Sequence, residues 1–177
     1  MSNELEVNSD DLRAAGAEGE AVAGSLADTA AAGPTELGIS KMKPLLEFYI
    51  GYFDFLYQDS RYRFTDSSTD GTNASLTVTG PDLTWLIAME KGQPQLSISP
   101  TRLPEQGYWI SLIRQYIYGN DDIHYLPANE EIEWARANIR DIEELVSDTS
   151  NLEGTCNKLQ SLLRSNAEKE WGPAAGD

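Results

Sequence analysis

The chain has 177 residues, enough for one domain with a single core and some tail, and too few for two full ones. Its 29 acidic residues against 13 basic ones give a formal charge of -16, which argues by sign against nucleic-acid and anionic-membrane roles and favours a basic partner. With one cysteine, Cys156, and one histidine, His124, it can form neither an intrachain disulfide nor a cysteine-rich zinc site, as fits a reducing cytoplasm.

Residues 1–43 are rich in alanine and glycine and hold no aromatic residue. Leu12, Ala15, Val22 and Leu26 suggest a helix opened by Ser9 or Asp10, but Gly16, Gly19 and Gly24 would each weaken it by about 1 kcal/mol. The stretch therefore reads as a flexible or weakly helical arm ended by Gly33-Pro34. It carries no basic region followed by an apolar core, so no secretory signal is expected. No segment of the chain offers the roughly 20 apolar residues of a membrane span.

The compact part is expected over residues 44–172. Met42, Leu45, Leu46, Tyr49, Phe53 and Leu56 make one helical stripe, with Pro44 tolerated in the first turn. Four strands follow. Arg61 to Ser67 alternates basic with aromatic residues, and Asn73 to Thr79 turns Ala74, Leu76 and Val78 to one side. After the Gly80-Pro81-Asp82 turn, Leu83, Trp85 and Ile87 alternate with Thr84, Leu86 and Ala88, and the chain reverses at Lys91-Gly92 into Gln95 to Ser99. Short connections make this an antiparallel meander with one apolar face to cover.

Three helices supply the cover. The first presents Trp109, Leu112, Ile113, Tyr116 and Ile117 and stops at Gly119-Asn120. The second opens at Asn129, with Glu130, Glu131 and Glu133 in the turn where the helix dipole favours negative charge, and buries Ile132, Ala135, Ile139, Ile142, Leu145 and Val146. The third, capped by Ser150 or Asn151, buries Leu152, Cys156, Leu159, Leu163 and Ala167 before a frayed tail at 173–177. The expected class is α+β: a four-stranded antiparallel meander under an N-terminal helix and three C-terminal helices.

Chemistry-bearing residues are few. Cys156 lies at helical spacing among leucines and reads as a small buried apolar group, away from His124. Asp121 and Asp122 beside His124 include metal-ligand types at an unspecific spacing, and read as a solvated loop. No catalytic, cofactor-binding or metal-binding residue is assigned, so no enzyme is expected. The acidic residues Asp121, Asp122, Glu130, Glu131 and Glu133 are the candidate partner-binding patch, which would dock on a basic protein surface.

Two stretches carry resemblances. The opening LEVNSDDLRAAGAEGEAVA resembles the first helix of small actinobacterial proteins associated with type VII (ESX) secretion, implying a role for the arm in export or partner binding. The runs FDFLYQDSRYRFTDS, NASLTVTG and DLTWLIAMEKGQPQLSISP, with Tyr108-Trp109-Ile110 and Leu112, resemble a family of small bacterial immunity-type proteins found beside polymorphic toxins. That resemblance implies a cytoplasmic, non-enzymatic inhibitor that binds a cognate toxin, such as a basic nuclease, and needs no cofactor.

Overall fold

The structure is a computed structural model that describes residues 36–70 and 72–172. Of the arm expected over residues 1–43, residues 1–35 lie outside the described residues, as does the tail at 173–177, and residues 36–43 belong to the first helix. Helix α1 (Glu36–Tyr52) leads through Phe53 into the short α2 (Asp54–Tyr57). A meander follows: β1 (Arg63–Thr69), β2 (Asn73–Thr79), β3 (Leu83–Glu90) and β4 (Gln93–Pro100). The two-residue β5 (Tyr108–Trp109) then runs directly into α3 (Ile110–Tyr118). Helices α4 (Ala128–Ala137), α5 (Ile139–Ser147) and α6 (Leu152–Trp171) close the chain. The class is α+β, as the alternation and helical spacing predict.

The sheet order is β1-β2-β3-β4-β5, antiparallel throughout. Lys91 (φ 50) and Gly92 (φ 83) form the β3–β4 turn, and positive φ at both central residues is what a two-residue hairpin of matching twist requires. One face of the sheet buries Ala74, Leu76, Val78, Trp85, Ile87, Leu96 and Ile98. Helix α1 packs on β1, β2 and β3, while α3 and α4 pack against β4. Helix α6 lies on α3 and α5, where Leu152, Cys156 and Leu159 are buried.

Several boundaries differ from the sequence expectation, each for a local reason. Helix α1 begins at Glu36, so Pro44 lies within it and leaves the Ser40 carbonyl without its usual helical donor. Strand β1 starts two residues late because Tyr62 is committed to the core. The sheet gains a fifth strand where Trp109 was expected on a helical face. The helix expected to open at Asn129 starts at Ala128 behind Pro127, and Asn129 makes no cap bond. It also breaks at Asn138, whose side-chain amide donates to the Trp134 carbonyl at 2.7 Å and so competes with helix continuation. In α6 the inward face passes through Leu159 and Asn166, leaving Leu163 exposed.

Candidate functional site

The acidic residues fall into separate environments. Lys169 of α6 reaches the loop after α3, where its Nζ donates to the Asp121 carbonyl at 2.5 Å and to Asp122 Oδ1 at 2.9 Å. Part of that negative charge is thus answered from within the chain. Glu130 and Glu131 occupy the first turn of α4 as expected. Glu131 is half-buried, and burial raises its carboxyl above the usual range against the opposing pull of Arg114 and a backbone hydrogen bond at Leu126. Glu133 is exposed and lies 3.9 Å from Arg136. Arg136 is held more closely by Asp54 at 2.6 Å, donates to the Tyr52 carbonyl at 2.8 Å, and lies over the Phe55 ring. The five acids thus share one segment of chain, but several are drawn toward internal cations.

The loop histidine is placed by its backbone: Arg114 donates to the His124 carbonyl. Among the described residues no group of three His, Cys, Asp or Glu side chains is arranged to hold a metal ion. Cys156 is buried in α6, and its carbonyl accepts a hydrogen bond from the buried Tyr108 hydroxyl at 3.2 Å. Among the described residues no helix is long and apolar enough to cross a membrane.

A second surface emerges on the face of the sheet opposite α1. Cross-strand register aligns Thr77, Leu86, Ser97 and Trp109 in one row over β2, β3, β4 and β5. The neighbouring rows carry Thr79, Thr84 and Ser99, and Ser75, Ala88 and Gln95. Hydroxyls dominate. Thr65 Oγ1 lies 2.8 Å from Thr79 Oγ1, and Ser68 Oγ lies 2.8 Å from Ser75 Oγ. Against this polar background Trp109 is 53% exposed and Leu86 44% exposed. They flank a shallow groove of about 220 Å³ floored by Ala88, Gln95 and Ser97, with Glu90 at one end.

Sequence reasoning missed this surface because Trp109 fits the helical stripe through Leu112 and Ile113 as well as it fits a strand. The available signal was Leu86: an apolar residue in the alternating register opposite Trp85, where a meander with one dry face calls for a polar one.

Compared with family models, with curated proteins and with solved structures, the chain matches none.

Proposed function

We propose that this chain is a non-enzymatic binding protein of the immunity type, which neutralises a cognate bacterial toxin in the cytoplasm by stoichiometric binding. The observation that carries the reading is the sheet face on which Trp109 and Leu86 stand exposed among hydroxyl side chains. A large exposed aromatic residue at the edge of a polar sheet face is the kind of anchor around which protein interfaces concentrate their energy. The formal charge of -16 supports a partner with a basic surface, such as a nuclease-like toxin domain, because complementary charge speeds encounter and disfavours acidic competitors.

The two surfaces have separable roles in this reading. Asp121, Asp122, Glu130, Glu131 and Glu133 supply long-range attraction, and the sheet face supplies the close contact. The deciding experiment is co-expression of the full chain with the product of the adjacent gene. A 1:1 complex that abolishes a toxic activity is the expected result; a neighbour that is neither toxic nor bound would overturn the proposal. Within such a complex, neutralising Glu130 and Glu133 should slow association and flatten its salt dependence, whereas Trp109→Ala should mainly speed dissociation.

The opening segment's resemblance to type VII secretion-associated proteins supports a second reading, in which residues 1–43 serve export or partner binding. Appearance of the protein in culture filtrate, dependent on residues 1–43, would favour it over the first.

A further inference from the structure

We infer that the groove between Leu86 and Trp109 is an anchor for a single arginine side chain of the partner protein. This rests on the binding reading above and adds the chemistry of the contact. The volume is the first reason: about 220 Å³ lies below the roughly 300–1,000 Å³ of a small-molecule pocket, and suits one long side chain.

The layout is the second reason. Leu86, Ala88 and Glu90 occupy alternate positions of β3 and share the open face, so Glu90 lies about 13 Å along the strand from Leu86. Leu86 and Trp109 are two strands apart in one row, with Ser97 between them, a backbone separation of about 10 Å. The result is a trough with an indole on one wall and a carboxylate at its end.

Charge decides among occupants. Glu90 is the acidic residue lining the groove, and it makes no ion pair among the described residues. An apolar occupant would take water from that carboxylate without replacing it, and an acidic one would be repelled. A basic side chain satisfies both parts of the trough, its stem on Leu86 and Ala88 and its head at Glu90. Arginine fits better than lysine because its planar guanidinium can meet a carboxylate through two parallel hydrogen bonds while its stem lies between Leu86 and the indole.

The test is a titration of the isotope-labelled full chain with the capped pentapeptide Gly-Gly-Arg-Gly-Gly, and with versions bearing lysine or citrulline at the centre, followed by NMR. The arginine peptide should shift the Trp109 indole and the Ala88 and Glu90 amides saturably, with lysine weaker and citrulline, which lacks the charge, without effect. Trp109→Ala and Glu90→Gln should each weaken binding by about two- to fivefold. Ala88→Trp fills the floor from the solvent side and should abolish the shifts. Equal binding of citrulline, shifts centred on Asp121 to Glu133, or an undiminished response in Ala88→Trp would overturn the inference. Failure of the broader reading looks different: arginine seated in the groove of a chain that neutralises no toxin leaves the anchor standing. A toxin neutralised equally well by the Trp109→Ala and Ala88→Trp chains removes the anchor and leaves the immunity reading.

Discussion

Replacing Gly80 with alanine should destabilise the domain through a side chain eighteen residues earlier in the sequence. Gly80 sits between β2 and β3, where its N–H donates to the Leu83 carbonyl at 2.8 Å and its own carbonyl accepts from the Thr101 hydroxyl at 3.1 Å. Its φ is not positive, so backbone strain is not the issue. A methyl group there would stand 2.5 Å from Cε1 of Tyr62, 2.8 Å from Cδ1 and 2.9 Å from Cζ. The ring has little room to yield. Tyr62 is buried, its hydroxyl donates to Glu143 Oε1 at 2.7 Å, and Glu143 is also held by Arg61 at 3.1 Å. Overpacking of this kind costs about 1–3 kcal/mol, and loss of a hydrogen bond to a carboxylate adds about 1.5 kcal/mol where the ring is displaced. A total of about 2.5–4.5 kcal/mol lowers Tm by about 8–15 °C for a domain of this size. Urea unfolding of Gly80→Ala, alone and combined with Tyr62→Leu, measures it. The steric cause requires a smaller penalty in the Tyr62→Leu background, where the ring is gone. A penalty below about 0.5 kcal/mol, or an equal one in both backgrounds, would refute it.

Three further expectations concern polar groups in and around the core. Gln115 and Asn166 exchange two amide hydrogen bonds, at 3.1 and 2.7 Å, and Gln115 Nε2 also donates to the Asp121 carbonyl, so Asn166→Leu should cost about 2 kcal/mol by leaving the Gln115 side-chain oxygen without a donor. Adding Gln115→Met should recover part of that loss in the same denaturation assay. Glu131 has its carboxyl raised by burial, so the folded state binds the proton more readily than the unfolded one, and its contribution to stability declines as pH rises through that window. Glu131→Gln should therefore stabilise the protein at pH 7 and lose its advantage toward pH 4, seen as converging Tm values. At the alkaline end, burial and the neighbouring Tyr57 push Tyr49 up to about 12, and burial raises Tyr62 and Tyr108 further. These three groups hold stability flat up to pH 10, and it falls above that as unfolded tyrosines ionise while folded ones resist. Tyr49→Phe should shallow the fall between pH 10 and 12, measured by urea unfolding across that range.

The sheet was legible because its information is local. Asn73 to Thr79 alternates cleanly, and Lys91-Gly92 marks its own turn, so strand and turn follow from neighbouring residues. Helix limits were harder. Pro44 and Asn129 carry strong positional preferences, yet each sits inside a helix that begins upstream of the expected start. The inward face of α6 depends on a partner no local rule can supply: Asn166 is buried because Gln115 lies opposite it across 51 residues of sequence. The candidate site divided in the same way. Charge could be read from composition, but the capture of Asp122 by Lys169 depends on how α6 meets the loop after α3.

The core and the proposed binding face are two products of one alternation. Trp85 is fully buried and Leu86, its neighbour in β3, is exposed, so a one-residue slip of that strand would exchange them. The slip is opposed at both ends. Lys91 and Gly92 fix the β3–β4 pairing by turn geometry, and the close fit of Gly80 beneath Tyr62 fixes where β3 departs from β2. Trp109 joins the same row only because β5 pairs with β4 at Ser97 before the chain turns into α3. Ile110, the next residue, is buried and starts that helix. The exposed indole is therefore held at its base by a strand pairing and by the first residue of a packed helix. Backbone so placed loses little further freedom when a partner covers the indole, which removes part of the ordering cost that binding would otherwise carry.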